Sequence, residues 1–411
     1  MNAAGFTFDF RPGRIVTGAG CVDQLGTELE RLDRDSAMLV SGRTVGTTPA
    51  VVDPIRKGLG DRLVAEFPET TPAKTLGTAL AGLERARTEG VDAVVAVGGG
   101  STLDTAKVLA ALSSHGDSAA AVARDAVETG DLPVATDGDP LPIVAVPTTL
   151  AGADLSDLAG VTLTLDRDAD LDGEQADDGP PSGGVRDPRL MPDALFYDAD
   201  LYRTTPQSVL AASAMNGFDK GLEMLYSPLS TPITDGTAAR GLRLLRSGLG
   251  TIREDPMDAD RLSDALAGIV AVQYGLAGAE GYRASIVHAF GHGFSHGYDV
   301  HQGTIHGIVA PHVLRYVFSE VDGRRDLIAE ALGLDVAGRP ADVVAEAIVD
   351  AVAAVRDELG LPGRLRDVEG VAQGDFPEIA DAIHADDLLG VAPDGVDPSV
   401  AEIAAILERA W

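Results

Sequence analysis

The first half of the chain alternates short apolar runs with segments whose apolar residues recur at helical spacing. The apolar runs predict four buried strands, at 36–42, 62–67, 91–100 and 142–149. The segments between the first three strands predict two helices, at 49–63 and 75–90. Strands that alternate with helices build a parallel sheet covered on both faces, so the sequence predicts an α/β domain.

The second half of the chain has a different pattern. Residues 165–189 are acidic and rich in Pro and Gly, and they predict an exposed loop or hairpin extension. Beyond Thr205, Ala, Leu and Ile recur at three-to-four spacing, which predicts helices and no strand. We therefore expect an α/β dinucleotide-binding domain with a parallel sheet over residues 1–195 and an all-α catalytic domain over residues 196–411.

The charge of the chain excludes several classes of partner. The 411 residues include 64 acidic and 32 basic side chains, which gives a net charge of −32 at pH 7. Nucleic acids and anionic membranes bind clustered positive charge, so neither is an expected partner. Four of the basic residues are Lys, at positions 57, 74, 107 and 220, and the rest are Arg. Dispersed acidic residues with so little Lys resemble the composition of halophilic proteins, in which salt screens the repulsion. An acidic protein from moderate salt is the alternative.

The cysteine content and the hydropathy narrow the expected environment. Cys21 is the single cysteine, which excludes an intramolecular disulfide and a metal site built from several cysteines. No apolar run reaches 18 residues and no basic, apolar leader is present. We therefore expect a soluble, cytoplasmic protein.

Residues 94–112 predict a strand, a glycine turn and then a helix. Gly98, Gly99 and Gly100 allow the backbone to approach a ligand closely and to adopt positive φ. Ser101 stands where the N-cap of the helix is expected, and the partial positive charge of a helix N-terminus binds phosphate. The GxGxxG dinucleotide pattern does not fit these residues. Because glycine turns also occur where no ligand binds, the turn alone leaves both interpretations open.

The full motif Gly-Gly-Gly-Ser-x-x-Asp-x-Ala-Lys, at 98–107, resembles the cofactor motif of the iron-containing alcohol dehydrogenase superfamily. Further segments resemble that superfamily in the same order, at 10–25, 146–162, 190–206 and 307–316. The resemblance implies a homodimer that binds NAD or NADP and a small-molecule substrate. It also implies that the glycines and Ser101 hold the pyrophosphate with Asp104 and Lys107 nearby, and that Thr148 and Thr149 approach the nicotinamide ribose.

Six of the eight histidines stand close together, at 288, 292, 296, 301, 306 and 312. The spacing of His288, His292 and His296 is compatible with one face of a helix. Two such histidines supply half of a divalent-metal site. The alternative is a His-rich helix that solvates a polar cleft.

The superfamily metal site consists of an Asp and a His four residues apart on one helix, followed by two His about 14 residues apart. The corresponding positions here are Asn216, Lys220, His288 and Gln302. A protonated Lys cannot ligate, and neutral amides are weak ligands for iron or zinc. A bound Fe or Zn would need both His301 beside Gln302 and a further carboxylate, Asp219, as substitute ligands. We therefore predict catalysis without a metal.

The residues around Asn216 resemble the maleylacetate reductase branch of the superfamily, and this resemblance likewise implies catalysis without a metal. A hydride transfer to a carbonyl or a polarised alkene leaves negative charge on an oxygen, which must be stabilised. We expect the Lys220 ammonium to stabilise this charge in the cleft between the domains, with His288 or His292 completing the proton path. The alternative is that Lys220 pairs with a carboxylate, Asp219 or Glu223, on a solvated face.

The segment after the second predicted strand bears on the choice of cofactor. In NAD-preferring proteins an acidic residue there hydrogen-bonds the ribose 2′-hydroxyl. Gly42 stands at that position, Arg43 follows it, and no acidic residue occurs between Asp35 and Asp53. We therefore expect Ser41 and Arg43 to accept the 2′-phosphate of NADP. If Arg43 is a solvated loop residue instead, both cofactors work.

Three functions remain open from the sequence. The first, which we favour, is a metal-free NAD(P)-dependent oxidoreductase of a small alcohol, carbonyl or maleylacetate-like substrate. The second is a conventional metal-dependent alcohol dehydrogenase with shifted ligands. The third is a non-catalytic relative that binds nucleotide, and a lyase resembling dehydroquinate synthase is more distant still.

Overall fold

The computed structural model describes residues 13–168, 181–278, 284–294, 297–298 and 300–411. The chain divides into two compact units, which we call the sheet unit, ending at Thr205, and the helical unit, beginning at Pro206. This boundary lies ten residues beyond the predicted one between 195 and 196. Ala194–Tyr197 forms a strand of the sheet, so the sheet unit extends past residue 195.

The strands described in the sheet unit are β1 (Arg14–Thr17), β2 (Ala37–Gly42), β3 (Leu63–Thr70), β4 (Ala93–Gly98), β5 (Ile143–Pro147), β6 (Leu158–Thr162), β7 (Ser182–Arg186) and β8 (Ala194–Tyr197). Six of them form a parallel sheet in the order β1-β8-β5-β4-β2-β3. The other two, β6 and β7, pair antiparallel as a hairpin. The predicted parallel sheet is therefore confirmed.

The helices described in the sheet unit are α1 (Leu25–Arg31), α2 (Arg43–Gly46), α3 (Pro49–Leu59), α4 (Leu76–Thr88), α5 (Gly100–Ser113), α6 (Ala119–Thr129) and α7 (Ala199–Tyr202). The predicted helix at 49–63 corresponds to α3, and that at 75–90 corresponds to α4. The first of these ends earlier than predicted because Gly60 takes a φ of 56°, a conformation that ends helices.

Strand β4 explains why the sheet could be predicted. Its six residues are all buried, because β2 and β5 flank it and a parallel sheet is covered on both faces. Pairing places Gly42 beside Thr70 and Ser41 beside Val97. The carboxyl ends of β2, β3 and β4 therefore meet at one edge, the place where open α/β sheets bind ligands.

The helices described in the helical unit are α8 (Gln207–Tyr226), α9 (Pro232–Gly248), α10 (Ala259–Ala277), α11 (Ile286–His292), α12 (Gln302–Glu320), α13 (Arg325–Ala331), α14 (Ala341–Glu358), α15 (Phe376–His384) and α16 (Val400–Ala410). No strand occurs in the described residues of this unit, as predicted. Gly303 allows α12 to approach α8, because a Cβ at Gly303 would collide with the carbonyl oxygen of Ala212. Among the described residues, no helix combines the length and apolarity that a membrane span requires.

Candidate functional site

The glycine turn lies between β4 and α5. Gly98 has a φ of 148°, which L side chains rarely adopt. Gly99 is the N-cap, with an extended φ of −85°, and the helix begins at Gly100. The prediction of Ser101 as N-cap is therefore wrong by two residues, because the run of glycines lets the helix begin earlier. The first N–H groups of a helix lack partners in the helix, so this turn can bind an anion.

A cavity of about 730 Å³ adjoins this turn, and we call it the glycine-loop cavity. Its walls come from the end of β2 with α2, from the end of β3 with the residues that follow it, from the glycine turn, and from two residues of the β6–β7 hairpin loop. The lining residues are Gly42, Arg43, Thr44, Val45, Glu69, Thr70, Thr71, Pro72, Ala73, Gly99, Ser101, Thr102, Arg167 and Asp168. Four predicted cofactor residues, Gly42, Arg43, Gly99 and Ser101, are thus brought together.

The other predicted residues of the turn lie beside the cavity. Thr148 is buried and its N–H donates to the Gly98 carbonyl over 3.0 Å. A Cβ at Gly99 would lie 3.1 Å from the Thr149 methyl carbon, and one at Gly100 would lie 3.4 Å from Ala153 Cβ. The turn is therefore packed against the segment that begins with the two threonines.

Asp104 and Lys107, which were predicted to lie near the pyrophosphate, make contacts with other residues of the sheet unit. Lys107 is only 1% exposed, and its ammonium donates to the carbonyl oxygens of Ala153 over 2.7 Å and Leu158 over 3.2 Å. Burial lowers the pKa of Lys107, while nearby carboxylates act in the opposite direction. Asp104 accepts a 2.9 Å hydrogen bond from Lys74. Lys107 therefore fastens the 153–158 segment, and its place near the pyrophosphate stays a prediction.

Arginine side chains line the glycine-loop cavity at two places. Arg43 begins α2, and within the described part of the chain no carboxylate or other acceptor bonds its guanidinium. Arg167 pairs with Glu69 and stands 5.9 Å from the ring centroid of Phe67. Sequence reasoning missed Arg167 because it lies in the acidic segment that predicted only a loop or hairpin.

In the helical unit, α8 carries two predicted residues one turn apart. Asn216 is 7% exposed and Lys220 is half-buried. Burial lowers the pKa of both His288 and His306, and the charge of Lys220 adds to this effect, as the second cause for His288 and after three neighbouring histidines for His306. The structure therefore brings Lys220 together with His288.

His288 lies in the first turn of α11 and is bound to Glu223 of α8. Its Nδ1 is 2.5 Å from Glu223 Oε2, and both side chains are buried. Burial raises the pKa of Glu223 to about 7, although hydrogen bonds from the backbone N–H groups of Ser285 and Val287 act in the opposite direction. Sequence reasoning considered Glu223 only as a partner of Lys220, because contacts between α8 and α11 have no signature in residue spacing.

A second carboxylate–imidazole pair lies beside the first. His306 is fully buried, its Nδ1 is 3.4 Å from Asp219 Oδ2, and its ring centroid is 4.4 Å from that of His288. Gly291 permits this packing, because a Cβ there would collide with His306 Nε2. Burial, and then the neighbouring Glu223, raise the pKa of Asp219 well above its usual value. Sequence reasoning counted His306 among the clustered histidines but gave it no role.

The remaining predicted histidines are not members of these two carboxylate–imidazole pairs. His292 ends α11 with a side chain that is 43% exposed, and its Nδ1 is 2.8 Å from Asp386 Oδ2. His301 caps α12 by accepting the Gly303 N–H over 3.2 Å. His296 lies outside the described residues. Helix α11 carries the first two of the three histidines that were predicted to share a helix face, and it ends at His292.

These contacts test whether the residues fit a metal ion. The four positions that correspond to superfamily ligands hold an amide, an ammonium, an imidazole and an amide, which is a poor donor set for iron or zinc. Of the two substitutes, Asp219 lies 3.4 Å from His306 Nδ1 with neither carboxylate oxygen hydrogen-bonded in the described residues, and His301 caps α12 through Nδ1. In the described ranges no group of three or more His, Cys, Asp or Glu side chains is arranged to hold a metal. The donor set at the four corresponding positions therefore does not suit iron or zinc.

Comparisons with known proteins place these features in a family. Residues 12–199 match the iron-containing alcohol dehydrogenase family, and residues 210–411 match the C-terminal part of the Fe-containing alcohol dehydrogenase family. The chain is 28% identical over 349 residues to maleylacetate reductase of Burkholderia cepacia, with 82% of each protein covered. It is 26% identical over 400 residues to lactaldehyde reductase of Escherichia coli K12, covering 96% of this chain and 97% of that protein.

A solved structure supports the same assignment at the level of the fold. Maleylacetate reductase from Agrobacterium tumefaciens superposes with a TM-score of 0.76 at 23% identity, covering 99% of this chain and 98% of that one. The two family matches together span nearly the whole chain. The protein therefore belongs to the iron-containing alcohol dehydrogenase family, with similarity to its maleylacetate reductase branch, and is an oxidoreductase of the alcohol dehydrogenase and reductase type.

Proposed function

We propose that this protein reduces a carbonyl group or a polarised alkene of a small organic substrate with NADPH and without a metal ion. The observation that carries the proposal is Lys220, which occupies a superfamily ligand position and whose charge acts on the buried ring of His288. Asn216 stands one turn before Lys220 on α8. A cation at this place supplies the charge that a metal supplies in metal-dependent relatives.

The chemistry follows from the charge that hydride transfer creates. A hydride from the nicotinamide forms a new bond to the carbonyl carbon, and the electron pair of the C=O π bond moves to oxygen. The Lys220 ammonium stabilises that oxygen by charge and hydrogen bonding. His288 or His292 takes up a proton from solvent and passes it to that oxygen, which completes the alcohol and returns the imidazole to its neutral form. One hydride and one proton are consumed for each carbonyl reduced.

The glycine-loop cavity supports the cofactor part of the proposal. Its volume of about 730 Å³ and its position at the carboxyl ends of β2, β3 and β4 suit a dinucleotide. Arg43 lines the cavity without a carboxylate or other acceptor in the described residues, so its guanidinium is available to a 2′-phosphate. The homodimer that the family implies stays a prediction.

The decisive experiment follows NADPH consumption in high salt with small aldehydes and ketones, including maleylacetate and lactaldehyde. Dialysis against a strong chelator is expected to leave turnover unchanged. Loss of activity that one metal ion restores would establish the metal-dependent alternative, and absence of turnover with every carbonyl would establish a non-catalytic protein.

A pair of lysine variants tests the role of Lys220 itself. Lys220→Met removes the cation and is expected to lower kcat by 100-fold or more, on the order of the loss of one oxyanion-stabilising group. Lys57→Met is the matched control, because Lys57 lies in the sheet unit, where its side chain is 75% exposed and pairs with Asp23 of the same unit. A Lys220→Met enzyme with the kcat of the control would contradict the proposed role.

A further inference from the structure

We propose that Glu223 is a positioning residue that fixes His288 as the Nδ1–H tautomer and thereby dedicates Nε2 to proton exchange with the substrate. This inference rests on the proposed function, in which His288 or His292 completes the proton path. It adds Glu223 to the site and selects His288 over His292.

The first step of the argument is the number of donors that meet at one carboxylate. Glu223 Oε2 accepts the Ser285 N–H over 2.9 Å and faces His288 Nδ1 at 2.5 Å. Glu223 Oε1 accepts the Val287 N–H over 2.7 Å and the Tyr226 hydroxyl over 3.2 Å. Each oxygen thus binds one backbone N–H at the start of α11. The carboxylate holds this turn of backbone and the ring of His288 at the same time.

The second step is the tautomer that these contacts require. Above its pKa of about 7 Glu223 is a carboxylate, which only accepts, and in a neutral imidazole one nitrogen donates while the other accepts. Since Nδ1 lies 2.5 Å from Glu223 Oε2, Nδ1 carries the proton. The lone pair therefore belongs to Nε2. A carboxylate that orients a histidine in this way selects the nitrogen that takes part in chemistry.

The third step is the state of Nε2. This atom is buried, and within the described part of the chain it has no hydrogen-bond partner. An unsatisfied buried polar atom costs about 1–3 kcal/mol, so it requires a reason. The proton path of the proposed reaction supplies one, since Nε2 then exchanges a proton with the substrate.

His292 provides the contrast. Its Nδ1 also faces a carboxylate, Asp386, at 2.8 Å, but the side chain is 43% exposed. Solvent therefore reaches this ring and can bond to its nitrogens. His292 has no unsatisfied buried atom that calls for an explanation. The structure thus distinguishes two histidines that the sequence left equivalent.

Nitrogen-15 NMR of histidine-labelled full-length protein at pH 8 tests the tautomer without any assay of activity. The His288 signals are identified by their loss in a His288→Asn variant. We expect a protonated Nδ1 and an unprotonated Nε2 in the wild-type protein. A protonated Nε2 would overturn the inference, whereas absence of carbonyl reduction would contradict only the proposed function.

Glu223→Gln tests the consequence for catalysis. In this variant the side-chain NH2 group of Gln takes the place of one of the two Glu223 oxygens, and in the wild type each of those oxygens accepts two hydrogen bonds. At the Oε2 position it would force Nδ1 to accept, which reverses the tautomer; at the Oε1 position it would face the Val287 N–H. We expect kcat to fall on the order of 100-fold, as for loss of an orienting partner, with the Kd for NADPH unchanged.

Tyr226→Phe is the matched control, because it removes a hydrogen bond to the same carboxylate and leaves His288 untouched. We expect this variant to keep the wild-type kcat and tautomer. Equal losses of kcat in both variants, or a wild-type kcat in Glu223→Gln, would show that Glu223 has only a structural role. If Glu223→Gln does not fold, the wild-type tautomer decides the question.

Discussion

Replacement of Gly99 by Val tests the cofactor site with little strain on the fold. Gly99 has a φ of −85° and a ψ of −173°, an extended conformation that any residue adopts. Gly98 differs, because its φ of 148° makes a side chain unfavourable before any ligand is considered. Gly99 lines the glycine-loop cavity. A side chain at this position therefore reports on space for the ligand.

The structure sets the size of the effect on stability. A Cβ at Gly99 would lie 3.1 Å from the Thr149 methyl carbon and 3.5 Å from its hydroxyl oxygen. One contact is short by a few tenths of an ångström, and Thr149 is half-buried, so it can shift. We therefore expect Gly99→Val to lower the free energy of unfolding by about 1 kcal/mol, the lower end of the range for overpacked substitutions.

The effect on the cofactor is expected to be larger. The methyl groups of Val extend where a pyrophosphate approaches the N–H groups at the start of α5. Loss of one charge-assisted hydrogen bond costs about 1.5–3 kcal/mol, which raises the Kd for NADPH by about 10- to 150-fold.

Calorimetric titration of NADPH into the wild type, Gly99→Val and Gly100→Ala measures this effect. Gly100→Ala is the control, since its Cβ would make an ordinary 3.4 Å contact with Ala153. It is expected to keep the wild-type affinity. An unchanged Kd in Gly99→Val, or equal weakening in both variants, would refute the assignment of this cavity to the pyrophosphate.

Three further predictions concern single side chains. Arg43→Ala is expected to lower kcat/KM about tenfold for NADPH and not for NADH, and an unchanged ratio of the two in steady-state kinetics would contradict the 2′-phosphate role. Lys107→Met is expected to destabilise the protein by roughly 2–4 kcal/mol in urea unfolding, because the carbonyls of Ala153 and Leu158 lose their donor; an unchanged free energy of unfolding would contradict its fastening role. Burial and neighbouring guanidinium groups lower the pKa of His312 to about 4, so between pH 6.5 and 4 the unfolded state binds a proton that the folded state does not. The free energy of unfolding should therefore decrease as the pH is lowered from 6.5 to 4. The decrease should be less steep in His312→Gln, and identical slopes in the two proteins would contradict the prediction.

The parts of the fold that could be predicted are those with a local cause. β4 is buried along its whole length and ends in glycines, so composition alone marks it. The same reasoning misplaced the start of α5, because three consecutive glycines offer several positions for the cap and the structure uses Gly99. Sequence reasoning also missed β8. This strand has four residues, which are too few to show an apolar pattern.

The parts of the site that could not be predicted depend on pairs far apart in sequence. Glu223 and His288 are separated by 65 positions, and Arg167 and Glu69 by 98. Helical spacing predicts which residues share a face of one helix. It does not say which face of another helix they meet. Sequence reasoning therefore found His288 but not the carboxylate that orients it.

The two motif lysines show why rarity is a weaker argument than surroundings. Both stand at family positions in a chain with four lysines, and from sequence that scarcity favoured a functional role for each. Lys107 is enclosed, with its ammonium bonded to two backbone carbonyls, so its charge serves the fold. Lys220 is half-buried, and two imidazoles whose pKa burial already lowers also feel its charge. A cation beside groups that carry protons can take part in proton transfer, whereas the two carbonyls give Lys107 no such partner. The neighbours of each ammonium therefore separate two residues that the sequence treated alike.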